Sequence, residues 1–302
     1  MTLEELEKKI KKEFKDAEKG IIAKANEYFE NFEFQDKQMR KKMKSKKITK
    51  KAYINWRKEQ MLVGAEYRKM EIAISEMYKN SFEIANQLIN DTTPFAFAES
   101  LNYATYEIEK DASINTSFTL VDEGTVTSLI RDNPNLIPQA AIKNGFDVWQ
   151  VGKINSALLQ GVLLGDSIDT IAKRLKNVTN QDINSSIRTA RTLTTACENL
   201  GRMRSYERAI GLGIKLKKIW IATNDNRTRH SHALLDEEMV EVEEEFSNGC
   251  KFPGDPDGKP SEIYNCRCSM RTKVEGFDYS DQVYKDMKVA SMGFDRWKRS
   301  RR

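Results

Sequence analysis

The sequence predicts a mainly α-helical protein with a small C-terminal α+β unit made of short strands and loops. All six prolines lie outside residues 1–93 and 139–252, so long helices are permitted in both segments. Apolar residues recur there at steps of three and four, as one buried face of a helix requires. After Gly213 the pattern changes to alternating charged and apolar residues separated by turn residues, which indicates strands and loops.

In the first half, an apolar stripe over Tyr67–Ile89 predicts one long helix. The sequence Asp-Thr-Thr-Pro at 91–94 is expected to end it, because proline lacks a backbone N–H and disfavours a helical residue before it. A shorter helix should follow at about 98–110. Asp122 is the predicted N-cap of a further helix that ends near Asp132.

In the second half, residues 138–164 are predicted to be helical, and Ser167 is expected to cap a short helix over 168–176. The longest helix of this half should span about 181–210, with glycines at its end to stop it. Cys197 lies on the apolar face of that helix, so a packed core thiol is its expected role.

Beyond residue 214, three short strands are expected at 215–223, 239–243 and 266–272. The chain thus divides into four predicted segments. They are an N-terminal helical region with a basic block (1–135), a second helical region (136–214), a Cys- and His-containing β-rich unit (215–275) and a basic tail (276–302).

Charge is unevenly distributed along the chain, although the net charge is only +5. A basic block covers residues 37–51, an acidic run covers 236–245, and basic residues return at 296–302. Such clusters attract phosphates or an oppositely charged protein surface, and the alternative is a solvated helix face. The candidates for a contact with nucleic acid or with a protein partner are Lys41, Lys42, Lys44, Lys46 and Lys47.

The sequence gives no indication of a membrane segment. No stretch approaches the ~18 apolar residues of a membrane span, and the N-terminal residues lack the apolar region of a signal peptide. We therefore expect no membrane partner and synthesis in a reducing cytosol, where structural disulfides are rare. A bound metal or free thiols are the expected states of the cysteines.

Metal-ligand chemistry is concentrated in one segment, 220–268, which holds both histidines and three of the four cysteines. Cys266 and Cys268 are two residues apart, so on a strand both thiols point to one face, where sharing a metal is easier than forming a disulfide. The candidate zinc ligands are His232, Cys250, Cys266 and Cys268, with His230 as the alternative histidine. Because no Cys-x2-Cys pair is present, free or crosslinking thiols remain the alternative interpretation, with His232 paired to Asp236 or to the backbone.

Residues 225–229 follow the first predicted strand as a turn. Asp225 can cap this turn through the backbone, while Arg227 and Arg229 can hold carboxylates in bidentate pairs. Asp236 and the glutamates after it are the expected partners. Such a charged network pins an irregular loop, and no catalysis is needed to explain it.

These residues resemble the C-terminal signature of the phage head morphogenesis (Mu F-like) minor capsid proteins. That family shares a tryptophan, then Asp-x-Arg-Thr-Arg-x-x-His-x-x-Leu-Asp, an aromatic residue, a Pro-Gly turn and Asn-Cys-Arg-Cys. The resemblance covers about residues 140–272. The matching residues here are Trp220, Asp225, Arg227, Thr228, Arg229, His232, Leu235, Asp236, Phe246, Pro253, Asn265, Cys266, Arg267 and Cys268.

The resemblance implies a virion protein made in the host cytoplasm: a low-copy minor capsid component, near the portal, that binds the portal protein and assists head assembly or DNA delivery. Two residues depart from the family pattern. Glu237 stands where the family commonly has glycine, and Cys250 does not align with the motif. Some family members carry a toxin domain after the signature, and the roughly thirty residues after Cys268 are expected to be too few for one.

Two other classes of function compete with this interpretation. One is a zinc-dependent DNA-processing enzyme, such as a nuclease, and the other is a nucleic-acid-binding accessory protein tethered by the basic block. A hydrolytic zinc site needs an open coordination position and a placed base, whereas a Cys3His set is closed. The chain also has no Walker-type loop and no Gly-x-Ser-x-Gly sequence. We therefore assign no catalytic residues and expect the protein not to be an enzyme.

Overall fold

The computed structural model describes residues 1–62, 64–141, 146–164, 166–277, 284–285 and 287–301. The helices formed by these residues are α1 (Leu3–Lys44), α2 (Lys50–Leu62), α3 (Ala65–Ala112), α4 (Glu123–Asp132), α5 (Phe146–Leu164), α6 (Ile168–Gly211), α7 (His230–Leu234), α8 (Pro260–Ile263), α9 (Met287–Ala290) and α10 (Phe294–Ser300). The strands are β1 (Ile114–Asn115), β2 (Ile214–Ile221), β3 (Met239–Glu241), β4 (Ser269–Phe277) and β5 (Tyr284–Lys285). A helix with the length and apolar character to cross a membrane is not found in this part of the chain.

These elements confirm the predicted mainly helical fold with a small sheet near the C-terminus. The chain divides into two compact units. The helical unit consists of residues 7–87 and 141–187. The sheet-containing unit consists of residues 1–6, 88–140 and 188–302. Helices α3 and α6 each contribute residues to both units.

The helical unit is built on apolar faces of its long helices. Within α1, Ile10, Phe14 and Ile21 are fully buried, at spacings that place them on one side of the helix. Phe14 packs edge-to-face against Phe82 of α3, with the ring centroids 5.0 Å apart. This periodic apolar packing is what the sequence stripes predict.

Helix α3 does not end at Pro94, so the predicted break there is wrong. The helix continues from Ala65 to Ala112 with Pro94 inside it. Proline removes the hydrogen bond that would reach the carbonyl four residues earlier, at Asn90. The Thr93 hydroxyl donates to that carbonyl instead, at 3.3 Å, and Ile89 and Phe97 are both buried, so packing continues across the proline.

Helix α6 merges two predicted helices into one of 44 residues. Residues 177–180 contain neither proline nor glycine, so nothing in the chain stops the helix. The predicted N-cap is confirmed, since the Ser167 hydroxyl accepts a hydrogen bond from the Thr170 N–H at 3.3 Å. Of the helix predicted at 138–164, residues 138–141 are not helical, 142–145 lie outside the described residues, and 146–164 form α5.

The sheet has the antiparallel order β3-β2-β4, with β2 at its centre. The first two predicted strands are found at the expected places. The third begins at Ser269, so Cys266 and Cys268 lie in the loop before β4 and not on a strand as predicted. Their proximity is therefore set by the loop, as described below.

The core of the sheet-containing unit brings α3 and α6 close together. A Cβ added to Gly201 of α6 would lie 2.4 Å from the carbonyl oxygen of Phe97 in α3, a distance that no side chain tolerates. Glycine is therefore required at this crossing. The predicted core thiol Cys197 is fully buried nearby, as expected.

Part of the predicted basic tail is folded in this unit. Trp297 of α10 is fully buried and donates from its indole N–H to the Glu109 carboxylate at 2.6 Å. Arg301 donates to the same carboxylate at 2.7 Å, and Lys298 pairs with Glu99 at 2.5 Å. These cations are thus compensated within the unit.

Candidate functional site

The motif residues lie on the loops that surround the end of β2. Trp220, the first of them, is fully buried near the end of that strand. Its ring packs edge-to-face against His232, with centroids 5.3 Å apart, and against Phe246, with centroids 5.1 Å apart. One side chain therefore joins three separate segments of the loop region.

His232, Cys266 and Cys268 come together as a buried group. Their ligand atoms all lie within 4.8 Å of one another, and the residues are 2%, 1% and 4% exposed. Nδ1 of His232 is 3.3 Å from the Cys268 sulfur and 3.7 Å from the Cys266 sulfur. The other ring nitrogen, Nε2, lies 3.1 Å from a carboxylate oxygen of Glu262, but off the direction of a hydrogen bond.

Cys250, the fourth predicted ligand, lies outside this group. It is fully buried in the same apolar cluster, and its sulfur lies so close to Gly258 that a Cβ there would be 2.6 Å from it. His230 is exposed at the start of α7. The structure thus brings together three of the four predicted ligands. Of the two histidines, His232 is the one that lies with the cysteines.

The backbone of the Asn-Cys-Arg-Cys sequence is held by polar side chains of α6. Sequence analysis missed these residues, because a partner more than sixty positions away leaves no local pattern. Their only trace in the sequence is that these polar residues recur at steps of three and four along α6. The bonds are Thr195 Oγ1 to the Cys266 carbonyl (2.8 Å), Asn199 Nδ2 to the Cys268 carbonyl (3.2 Å) and the Asn265 N–H to Thr192 Oγ1 (3.0 Å).

Asp225 and Arg267 form a bidentate ion pair that joins two loops of the motif, with N···O distances of 2.5 and 2.6 Å. Asp225 also accepts from the Arg227 N–H at 2.9 Å, and its own N–H donates to the Thr228 hydroxyl at 3.1 Å. The hydrogen bonds from Arg267 and from this turn hold the pKa of Asp225 well below its usual range.

The predicted pairing of Arg227 and Arg229 with Asp236 is not found. Arg229 donates instead to the backbone carbonyl of Tyr264. Asp236 accepts from the Ala222 N–H at 2.8 Å and from the Asn224 side chain at 2.6 Å. The network holds the loops together as expected. Several of its bonds run from side chains to backbone groups, and the positions of the residues in the sequence do not indicate such partners.

The side chain of Arg227 extends away from this network. It is 68% exposed and lies 4.0 Å from Asp225, which already pairs with Arg267. Arg227 is therefore the motif cation with the weakest partner among Arg227, Arg229 and Arg267. It contributes little to holding the loops.

Lys218 is a residue that the sequence analysis missed. It lies on β2, on the face that alternation gives to the buried Trp220, and it is itself fully buried. Its ammonium group donates to the backbone carbonyls of Val242 (2.9 Å), Glu244 (2.5 Å) and Lys251 (2.8 Å). Burial lowers the pKa of Lys218 to about 8. This lysine ties the loop after β3 to the sheet.

The pKa values of the two thiols in the ligand group are shifted in opposite directions. The Cys266 thiol donates a hydrogen bond to Cys268, and His232 adds a second favourable interaction, so the pKa of Cys268 is lowered. The pKa of Cys266 is raised by the same hydrogen bond and by burial. One of the two sulfurs is therefore readily available as a thiolate, which is the form that binds metals.

The donor set fits a tetrahedral soft metal ion. Zinc–sulfur and zinc–nitrogen bonds of tetrahedral sites imply a sulfur-to-nitrogen separation of about 3.6 Å, and the observed separations are 3.3 and 3.7 Å. The buried Nε2 has no hydrogen-bond partner of good geometry among the described residues. Two thiols and an imidazole nitrogen are a recognised zinc donor set.

The predicted lysine contacts lie in the helical unit, at the connection between α1 and α2. Asp36 of α1 holds the two helices together: it accepts from the Tyr53 hydroxyl at 2.6 Å and pairs with Arg40 at 2.7 Å. Phe32 and Trp56 stack with centroids 6.1 Å apart. The aromatic residues after the basic block are therefore partly used in holding this hairpin, which we call the lysine hairpin (residues 37–58).

The five predicted contact lysines are all exposed at the end of the lysine hairpin. Between Asp36 and Glu59 the chain has no acidic residue. In the described part of the chain, none of these five lysines has an ion-pair partner; they are Lys41, Lys42, Lys44, Lys46 and Lys47. The hairpin end is consequently a concentrated, uncompensated positive surface.

Comparison with known proteins gives one family match. The family described as phage Mu protein F like protein matches residues 152–271. This range contains α6, β2, β3, the start of β4 and every residue of the motif. No solved structure matches the chain.

Three relatives are similar to parts of the chain. The NAD(+)--arginine ADP-ribosyltransferase EFV of Enterococcus faecalis is 28% identical over 64% of this chain and 40% of its own length. The minor head protein GP7 of Bacillus phage SPP1 is 24% identical over 67% of this chain and 65% of its own length. The uncharacterized protein YqbB of Bacillus subtilis is 30% identical over 40% of this chain and 41% of its own length. The match thus spans less than two thirds of each relative.

Proposed function

We propose that this protein, whose residues 152–271 belong to the phage Mu protein F-like head morphogenesis family, is a minor head protein of a phage. In this proposal it is a low-copy component of the virion, made in the host cytoplasm and attached at the portal. It assists head assembly or DNA delivery there. The portal protein and other capsid components are its proposed partners.

The observation that carries the proposal is that the motif residues bond to other parts of the protein itself. Asp225, Arg267 and Arg229 bond to each other's loops and to the backbone, and the ligand group is buried. Catalytic groups must reach a substrate in a cleft, whereas these groups hold loops together. The motif therefore suits a structural component. The similarity to the SPP1 protein, which is named a minor head protein, supports the same conclusion.

We propose further that the chain is not an enzyme. The Enterococcus relative carries the name of an enzyme, but the match covers only 40% of that protein. A zinc-dependent DNA-processing enzyme, the alternative from the sequence, would need a metal that a DNA substrate can reach. The candidate ligands are at most 4% exposed, which disfavours that alternative.

The portal attachment can be tested on particles of the phage that encodes the protein. We expect quantitative mass spectrometry to find it in purified virions at a small fraction of the major capsid protein. It should be missing from particles assembled without portal. Equal incorporation with and without portal would contradict portal attachment, and absence from virions would contradict the virion role.

The cofactor that we propose is zinc, held at the buried ligand group as a structural ion. Zinc would crosslink α7 to the loop before β4, two segments with little regular structure of their own. The fit of the sulfur and nitrogen distances supports this proposal.

We propose that the lysine hairpin contacts packaged DNA through its phosphates. Its five exposed lysines lack carboxylate partners among the described residues, so a polyanion would be their first partner. Replacing these lysines with glutamine should weaken binding to duplex DNA, and the parent protein's affinity should fall steeply with salt, with a log–log slope of about −0.9 per phosphate contacted.

A matched control tests whether position matters or only total charge. Five lysines of the helical unit pair with carboxylates: Lys11, Lys19, Lys24, Lys69 and Lys79. Their replacement by glutamine removes the same charge and should leave DNA binding nearly unchanged. Equal losses in both variants would contradict a hairpin contact. Loss of portal binding with unchanged DNA binding would show an acidic portal surface to be the partner instead.

A further inference from the structure

We infer that the metal site is a Cys2His site that uses His232 Nδ1, Cys266 and Cys268, excludes Cys250, and depends on Glu262 from the far side of the imidazole ring. The inference rests on the proposed zinc cofactor and deepens it. It differs from the Cys3His set that the sequence suggests, because that set would close the coordination shell with protein atoms alone.

The orientation of the His232 ring is the first argument. Nδ1 faces both sulfurs, at 3.3 and 3.7 Å, and Nε2 lies 3.1 Å from the Glu262 carboxylate, close to it although off the direction of a hydrogen bond. The Ser231 hydroxyl donates to the same carboxylate oxygen at 3.1 Å and helps to place it. A carboxylate on the second nitrogen of a histidine ligand fixes the tautomer and makes the ligating nitrogen more basic. Glu262 is therefore a positioning residue.

The second argument is that the two sulfurs are positioned without help from an ion. Thr195 and Asn199 of α6 bind the carbonyls of Cys266 and Cys268, so the loop is fixed from behind. Trp220 packs against the His232 ring from β2 and restricts its rotation. A site that exists before the ion arrives loses little conformational freedom on binding.

The third argument concerns Cys250. Its N–H donates to the Asn248 side chain at 3.1 Å and its carbonyl accepts from the Phe246 N–H at 2.9 Å, so its turn is fixed as well. Its sulfur packs against Gly258 in the apolar cluster. Bringing this sulfur into the ligand group would require the hydrogen bonds of the turn and the packing against Gly258 to break.

One coordination position is then left for a ligand that is not a protein side chain. Among the described residues, a fourth histidine, cysteine, aspartate or glutamate is not found within the group. A four-coordinate zinc ion would complete its shell with a small ligand such as water. The site is thus predicted to have two thiolates, one imidazole and one small ligand enclosed with them in the buried group.

Cobalt substitution of the full chain tests the ligand count directly. The protein is purified under reducing conditions, its zinc is measured by elemental analysis, and Co2+ is then exchanged for the zinc. We expect about one zinc per chain and a tetrahedral cobalt spectrum with the sulfur-to-cobalt absorption of two thiolates. Cys250→Ala should keep the metal and the spectrum, whereas Cys266→Ser and Cys268→Ser should each reduce metal binding strongly.

The outcomes separate the inference from the proposals beneath it. A protein without metal after zinc reconstitution would contradict the zinc cofactor and leave the virion role untouched. A spectrum of three thiolates in the unmodified chain, or loss of metal in a folded Cys250→Ala variant, would overturn the Cys2His assignment while zinc stands. The cobalt spectrum needs no substitution, so a variant that fails to fold does not stop the test.

Glu262→Gln tests the positioning residue. We expect zinc affinity, measured by competition with a chelator, to fall by about 10- to 100-fold while the two-thiolate cobalt spectrum persists. Glu262→Asp should restore part of the affinity. An unchanged affinity in Glu262→Gln would remove Glu262 from the site.

Discussion

The loop region of the sheet-containing unit (222–268) and the lysine hairpin of the helical unit differ in where their polar groups are directed. In the loop region, Arg229 and Asp236 bond to backbone groups of other segments, and Lys218 of β2 donates to carbonyls of this region. In the lysine hairpin, polar side chains apart from those around Asp36 face solvent. The loop region has little regular structure, yet it can be held more rigidly than the lysine hairpin. Its polar side chains supply the hydrogen bonds that the backbone of a helix otherwise provides.

Removing the tryptophan that joins the loops should give the largest loss of stability. Trp220→Ala should lower the free energy of unfolding by about 3–5 kcal/mol, because a fully buried ring in contact with His232 and Phe246 leaves a cavity. The half-buried Trp56 of the hairpin is the matched control, and Trp56→Ala should cost clearly less. Chemical denaturation followed by circular dichroism measures both, and equal losses would contradict the proposed difference.

Lys218→Met should have the next largest effect. It leaves one buried carbonyl, that of Val242, and two partly buried ones without their donor, for an expected cost of about 2–4 kcal/mol. The neighbouring Lys217 is partly exposed and pairs with Glu241 at 3.2 Å. Lys217→Met should therefore change stability by less than about 0.5 kcal/mol. A small effect of Lys218→Met would mean that the ammonium does not fix the loop.

The pH dependence of stability provides a second test of Lys218. The pKa of Lys218 is about 8 in the folded protein, compared with the ordinary value of 10.5 for a lysine in water. Because the folded-state pKa is the lower one, the burial penalty is full below pH 8 and is relieved as the pH rises toward 10.5. The stability difference between the parent and Lys218→Met should therefore increase over that pH range. A difference that stays constant would contradict the lowered pKa.

Arg229→Ala should have a moderate effect, of about 1 kcal/mol, because the lost partner is the backbone carbonyl of Tyr264 and not a buried carboxylate. Arg227 serves as the matched control, since its side chain is 68% exposed. Arg227→Ala should leave the thermal melting temperature unchanged within error. The same shift in both variants would show that solvent-facing charge, and not the loop contact, matters.

The smallest effect on stability is expected in the lysine hairpin. Replacing Lys41, Lys42, Lys44, Lys46 and Lys47 with glutamine removes mutual repulsion and no described ion pair, so unfolding should change by less than about 0.5 kcal/mol. The same variant should lose DNA affinity. A large destabilisation would show that these lysines support the fold.

The long helices and the strands could be predicted because their signals are local. Apolar spacing located α3 and α6, the Asp122 cap of α4 is confirmed by its bond to the Thr125 N–H at 2.7 Å, and alternation located β2. The resemblance to the Mu F-like family was predicted from the ordered set of rare residues, and the family match over residues 152–271 confirms that resemblance. Pro94 misled because a neighbouring threonine hydroxyl serves the freed carbonyl.

The partners within the candidate site could not be predicted, because they are distant in the sequence. Nothing in the sequence next to Cys266 indicates Thr195, and alternation, which places Lys218 on the face of Trp220, does not indicate the carbonyls that this lysine binds. The metal set was predicted from residue types, and Cys250 was included because composition carries no distances. Only the folded loops separate that sulfur from the other two.

Hydrogen–deuterium exchange of the full chain tests the central claim most directly, namely that polar bonds fix the loop region while the end of the lysine hairpin stays open. We predict that amides with internal partners in 222–268, such as Ala222, Phe246 and Asn265, exchange as slowly as those in the C-terminal half of α6. Amides at 48–50, for which no hydrogen-bond partner is found in the described part of the chain, should exchange within seconds. Fast exchange throughout 222–268, at the rate of the hairpin end, would contradict the account.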